Sequence, residues 1–229
     1  LALILCAILI YVNAFTSVNV FAKVCTNQPA FRCTANKQAE ADQAHNNNLA
    51  ITAKAAVLID NASGRILYAK NKDKKLIPAS ITKIMTLLLI FESIEQGKCK
   101  LEDKVTVSEY AASMGGSQVF LEPGETQDVN TMIKCISIAS ANDAAVAMAE
   151  HLAGSEQSFV KRMNKKAKAL GMKHTHFKNC NGLDDSIESG HYSSAYDVAL
   201  MSQSLVSKYP DISKYSTVWM DAITHITKK

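Results

Sequence analysis

The 229-residue chain is poor in the residues that build simple or extended structures: nine glycines, four prolines, one tryptophan and six cysteines. That scarcity excludes a collagen-like repeat, a Pro/Gly-rich disordered chain and a disulfide-dense scaffold. It also lacks a charge of one dominant sign. Twenty-five Lys and Arg stand against 21 Asp and Glu, for a net charge of +4, and the basic residues are scattered among acidic ones. No nucleic-acid footprint follows from that distribution, and the charge permits only a weak attraction to an anionic polymer or membrane surface. With 48% hydrophobic residues, what remains is a globular chain holding one domain of good size.

The longest unbroken apolar run at the start of the chain is too short to span a bilayer. The unbroken run is Leu1 to Val12, followed by the first charge at Lys23; this length suits the hydrophobic region of a secretory signal. Small residues at Val20-Phe21-Ala22, or at Val12-Asn13-Ala14, suit cleavage. The expectation is a signal peptide over 1–22, its start missing because neither Met nor a basic segment precedes the run; the alternative is an anchor that stays attached. Residues 23–52, rich in Asn, Gln and Ala, form a polar spacer. Cleavage after Ala22 would leave an odd number of cysteines. Cys25 and Cys33 are close enough to close a short loop in an oxidising compartment, and their pairing stays open. Cys99, Cys135 and Cys180 suit packing. His174, His176 and Cys180 match no zinc spacing, so neither a metal nor a cofactor is expected.

The domain is expected over 53–229. Ala56–Ile59 and Arg65–Tyr68 are strand-like runs joined by Asp60-Asn61-Ala62-Ser63-Gly64, which predicts a β-hairpin. After Ile77-Pro78-Ala79-Ser80, residues Ile81–Ile94 are apolar on most faces and predict a buried helix stopped by Gly97. Further helices are predicted from the Asp128 cap to Ile138, from Asp143 to Ala153 before Gly154, and from Ser155 to Gly171. Ser194 to Asp197 resembles a capping box. A hairpin followed by a helical body needs further strands to make a stable sheet.

Two short patterns carry chemistry. In Ser80-Ile81-Thr82-Lys83 the serine sits at the opening of a helix with a lysine three residues on, along the same face. Lys83 is forced inward among Met85, Leu87 and Leu88. There desolvation lowers an amine's pKa and lets the neutral form accept a serine proton. Ser158-Phe159-Val160-Lys161 matches the same pattern, but it lies on an amphipathic helix with Arg162, Lys165 and Lys166 nearby, which predicts a solvated face. The second pattern, Ser140-Ala141-Asn142, lies between two helices. Ser140 can relay a proton and the Asn142 amide can hold a substrate amide, or either can simply cap the helix from Asp143.

Taken together, Ser80-x-x-Lys83 and Ser140-x-Asn142 belong to the motif set of serine β-lactamases and penicillin-binding proteins. Five blocks resemble the low-molecular-weight D-alanyl-D-alanine carboxypeptidases: Ala79–Thr86, Gly116–Glu125, Ala139–Ala144, Phe177-Lys178-Asn179-x-x-Gly182-Leu183-Asp184 and Tyr192-Ser193-Ser194-Ala195-x-Asp197. Class A β-lactamases match less well, having Ser-Asp-Asn where this chain has Ser-Ala-Asn. The resemblance implies an α+β fold of the β-lactamase/transpeptidase type, an antiparallel sheet with a large helical subdomain. It implies Ser80 as nucleophile, Lys83 as base, Ser140 as proton relay and Asn142 as substrate-binding residue. The implied substrates are peptidoglycan stem peptides ending in D-Ala-D-Ala, with β-lactams as inhibitors, an extracytoplasmic location and no nucleic-acid partner. The family's third motif, Lys-Thr-Gly, is absent from the 229 residues. Later sheet strands are therefore expected to be missing, as is any C-terminal segment making peripheral membrane contact, and the chain as it stands is expected to be a poor catalyst. The alternatives are a DD-endopeptidase or β-lactamase on the same scaffold, or a non-catalytic wall-binding homologue.

Overall fold

The computed structural model describes residues 51–183 and 189–225. The expected leader (1–22), most of the spacer, Cys25, Cys33 and Asp184 lie outside the described residues. Strand β1 (Ala56–Ile59) and strand β2 (Ile66–Lys70) pair antiparallel, Ala56 opposite Lys70, with a register shift between Leu58 and Ile59. Asp60 makes the turn. Its Oδ1 accepts from the Ser63 backbone N–H at 2.8 Å, its N–H donates to Arg65 O, and Gly64 takes a φ of 71° that favours glycine.

A 3₁₀ turn (Ala79–Thr82) leads into helix α1 (Lys83–Glu95). The nucleophile candidate thus sits in a tighter turn ahead of the α-helix rather than in its first turn. As the apolar pattern predicts, α1 is buried nearly all round: Met85, Leu88 and Ile90 have no exposure, each contributing roughly 1.5–3 kcal/mol of burial. Gly97, at φ 66°, turns the chain away just past its end.

Strand β3 (Lys104–Thr106), helix α2 (Glu109–Ala112) and strand β4 (Thr126–Asp128) follow, β3 and β4 forming a second antiparallel pair. This pair was not among the expected elements: three-residue strands carry too little alternation to register. Helix α3 (Val129–Ile138) is capped by Asp128, whose Oδ1 accepts from Thr131 N–H at 2.7 Å. Helix α4 (Asn142–Ala153) ends at Gly154 in the left-handed region, and helix α5 (Glu156–Ala169) starts from the Ser155 cap.

Helix α6 (Ala195–Lys208) is capped by Ser194 Oγ. The reciprocal half of the expected capping box does not form, because the Asp197 carboxylate instead accepts from His174 N–H and Thr175 Oγ1. A 3₁₀ turn (Pro210–Ile212) and helix α7 (Ser213–Ser216) follow.

Helix α4 is the centre of the helical body. Asn142 to Ala149 are all buried, and α1, α2, α3 and α5 pack around it. Four alanines and one valine in that stretch keep its girth small enough for neighbours on every side. Helix α6 packs on both α1 and β1, tying the hairpin to the body. This is an α+β fold with antiparallel strands. Among the described residues no helix is long and apolar enough to cross a membrane.

Candidate active site

The chain approaches Ser80 through a strained turn. Pro78 precedes the 3₁₀ turn, and Ala79 adopts φ 46°, a left-handed conformation that costs a non-glycine residue about 1–2 kcal/mol. Gly182 holds it from outside. At φ 84°, its backbone lies so close that an added Cβ would sit 1.8 Å from Ala79 O and 3.0 Å from Ser80 N. Only glycine allows that approach. Gly182 in the Phe177–Leu183 stretch therefore has a steric cause in this chain: its backbone presses directly on the backbone that presents Ser80.

Lys83, one turn further, points inward with 3% of its surface exposed. Its Nζ donates to Asn142 Oδ1 at 2.6 Å and to Asn181 O at 2.7 Å, and lies 3.3 Å from Ser80 Oγ. Burial pushes its pKa down from the ordinary lysine value to about 8, against a smaller opposing pull from Cys180 and Asp143. The two short contacts are to acceptors that have no proton to give back. They hold two N–H bonds of the amine, so that in the neutral form the lone pair is directed at the third neighbour, Ser80 Oγ.

The Asn142 amide is oriented by the same logic. Its Nδ2 donates to Gly115 O at 2.7 Å and its backbone N–H to Ser117 O at 2.7 Å. Since Gly115 O only accepts, the amide nitrogen must face it, and Oδ1 must face Lys83. Gly116 packs against this amide, an added Cβ falling 2.9 Å from Nδ2. The neighbouring Asp143 is fully buried at the start of α4, where it accepts from the Val119, Leu121 and Ala144 N–H groups and fixes the 115–121 loop.

Neither Ser140 nor Asn142 caps α4. The cap position is Ala141, which has no side-chain cap bond, so both side chains are released from the structural role the sequence also allowed. Ser140 is held at φ 56°, and its Oγ is covered yet has no hydrogen-bond partner. An unpaired buried hydroxyl costs roughly 1–3 kcal/mol. The structure therefore hydrogen-bonds Ser80, Lys83 and Asn142 into one cluster and leaves Ser140, two residues before Asn142, unbonded to either Ser80 or Lys83.

The rival Ser158–Lys161 pattern is elsewhere, on α5. Ser158 Oγ bonds the Ser155 cap at 2.9 Å, and Lys161 is exposed. Contributions not evident in the sequence are mostly backbone: the Asn181 and Gly115 carbonyls. A carbonyl is common to every residue, so only the glycines beside them, Gly182 and Gly116, could have pointed there. Among the described residues no group of three or more His, Cys, Asp or Glu is placed to hold a metal ion.

Residues 38–229 match the peptidase family described as D-alanyl-D-alanine carboxypeptidase. The D-alanyl-D-alanine carboxypeptidase DacF of Bacillus subtilis is 55% identical over 191 residues, covering 83% of this chain and 48% of the relative. Among solved structures, the D-alanyl-D-alanine carboxypeptidase DacD from Francisella tularensis superposes with a TM-score of 0.71 at 36% identity, covering 74% of this chain and 40% of that one. Penicillin binding protein 5 from Haemophilus influenzae gives 0.68 at 38%, covering 72% and 48%. The chain thus spans about half the length of the curated relatives it matches.

Proposed function

The chain belongs to the D-alanyl-D-alanine carboxypeptidase family, and from that membership we propose that it is the acylating part of a serine-type carboxypeptidase that removes the terminal D-Ala from peptidoglycan stem peptides. The observation that carries the reading is the buried Lys83 amine, held by Asn142 and Asn181 with its remaining position toward Ser80 Oγ.

The neutral Lys83 amine takes the Ser80 hydroxyl proton as Oγ attacks the carbonyl carbon of the penultimate D-Ala. The tetrahedral intermediate places its negative charge on the former carbonyl oxygen, toward the Ser80 backbone N–H; one such donor is worth on the order of 3 kcal/mol. The C–N bond then breaks. The unbonded Ser140 hydroxyl passes the Lys83 proton to the departing D-Ala amine, leaving an ester on Ser80. Water, activated by the same amine, hydrolyses the ester and releases the shortened peptide. Two acyl transfers replace one difficult amide hydrolysis. The Asn142 amide, already locked in orientation, positions the substrate backbone.

A β-lactam presents its amide carbonyl to the same hydroxyl, which makes it an inhibitor, consistent with the penicillin-binding name of the Haemophilus influenzae relative. Peptidoglycan lies outside the cell membrane, so the domain over 53–229 is placed extracytoplasmically, with 1–22 as its signal peptide and 23–52 as spacer. The test is release of free D-Ala from a synthetic stem pentapeptide, with benzylpenicillin as inhibitor. Penicillin-sensitive release that Ser80→Ala abolishes supports the proposal. Release that persists in Ser80→Ala, or cleavage of cross-linked dimers in place of D-Ala release, contradicts it.

A further inference from the structure

We infer that His191 is a positioning residue for the nucleophile turn, resting on the acyl-transfer reading above. Segment 190–193 runs beside that turn and grips it at both ends. On the near side Ser193 and Leu76 exchange backbone hydrogen bonds, Ser193 N–H to Leu76 O at 2.9 Å and Leu76 N–H to Ser193 O at 2.8 Å. On the far side His191 Nε2 lies 2.8 Å from Thr82 Oγ1, a contact in which both side chains are buried. Between the two grips lie Ile77, Pro78, the left-handed Ala79, Ser80 and Ile81.

The direction of the histidine bond is fixed by its other nitrogen. Lys178 N–H donates to His191 Nδ1 at 3.1 Å, so Nδ1 carries no proton, and Nε2 bears the one it donates to Thr82. The Phe177 ring meets the imidazole edge-on, with centroids 5.9 Å apart, and restrains its plane.

Thr82 stands between the nucleophile and the base in sequence, yet the base has its own anchors in Asn142 and Asn181. The nucleophile is held less tightly: Ser80 Oγ meets Lys83 Nζ at 3.3 Å, and Gly182 presses on Ala79 from outside. Ala79 would relieve its strain by moving toward an ordinary helical conformation, and that would carry Ser80 Oγ away from Lys83. The His191–Thr82 bond opposes that relaxation. Its loss should slow bond formation at Ser80 and leave ligand binding intact, because the Asn142 side of the cleft is untouched.

The experiment is a double-mutant cycle on the whole chain, read as the acylation rate constant and the dissociation constant for a fluorescent penicillin. Hydrogen exchange over residues 76–84 is measured in parallel. His191→Leu and Thr82→Val should each slow acylation roughly ten- to hundredfold, the scale of a small misplacement of a reacting group, with binding unchanged. The double variant should be no slower than either single one. Thr82→Ser should behave as the unmodified chain, and His191→Gln, whose Nε2–H can still donate to Thr82, should recover most of the rate. Both disrupting variants should exchange faster over 76–84. Independent, multiplying losses, or unchanged exchange in both, would overturn the role of His191. If the unmodified chain is not acylated on Ser80 at all, the acyl-transfer proposal fails by itself, and the exchange comparison still decides whether His191 holds the turn.

Discussion

Acylation should follow the titration of one amine. With a pKa of about 8, Lys83 is neutral in about 1% of molecules at pH 6, about 9% at pH 7 and about 91% at pH 9. An ordinary lysine at 10.5 would be neutral in only about 0.03% at pH 7, so burial raises the supply of base some 300-fold there. Labelling by a fluorescent penicillin should therefore rise about ninefold from pH 6 to 7, about fivefold from 7 to 8, and about 90-fold in all between pH 6 and 9, then level off. The same shift acts on stability. Between pH 8 and 10.5 the unfolded chain keeps a proton at this site that the folded chain has lost, so folding stability rises with pH across that window. The gain from this group is about 3 kcal/mol, fully present above 10.5 and lost below 8. Lys83→Met should abolish labelling and lack that rise, so the difference between the two stability curves, measured by urea unfolding, should grow by about 3 kcal/mol between pH 8 and 10.5. A labelling rate that is flat or falls from pH 6 to 9, or a stability difference that does not change with pH, would refute the idea that a buried neutral amine is the base.

Other outcomes follow from the same geometry. Asn142→Asp places a carboxylate where Oδ1 now sits, 2.6 Å from Nζ, which should hold Lys83 protonated and move the labelling midpoint up by at least one pH step; a midpoint left at 8 would contradict this. Gly182→Ala forces a methyl group into Ala79 O and should lower both the urea midpoint and labelling, by roughly 2–4 kcal/mol in stability. Ser158→Ala and Lys161→Ala, on the solvated face of α5, should leave labelling unchanged and shift stability by less than about 0.5 kcal/mol. An effect there as large as that of Ser80→Ala would mean the wrong Ser-x-x-Lys pair has been identified.

The helices were legible in the sequence because their boundaries are chemical. Asp128, Ser155 and Ser194 cap where the sequence suggested, each accepting a backbone N–H from three residues on, and Gly97 and Gly154 end α1 and α4 with left-handed backbones. The apolar run through Leu87–Ile90 likewise announced a helix buried on all sides. The short β3–β4 pair was not legible, since strands as short as Lys104–Thr106 are defined by pairing across the fold. At the candidate site, the spacing pointed to Ser80, Lys83 and Asn142, and the fold hydrogen-bonds these three together. What could not be read was how Lys83 is anchored: a carbonyl at Asn181 and an amide oriented by the carbonyl of Gly115. Nor could periodicity show that Ala79 and Ser140 sit in left-handed conformations on either side of the cluster, because these are imposed by tertiary contacts. Asp197 illustrates the same limit, since its carboxylate leaves the local capping pattern for His174 and Thr175.

The central claim is that one hydroxyl, Ser80 Oγ, is the acyl acceptor. Incubation with benzylpenicillin followed by proteolysis and mass spectrometry of the peptides tests it most directly. A single penicilloyl adduct is expected on the peptide containing Ser80, absent from Ser80→Ala. An adduct on Ser140, Ser158 or any other residue, or one that survives Ser80→Ala, would contradict it.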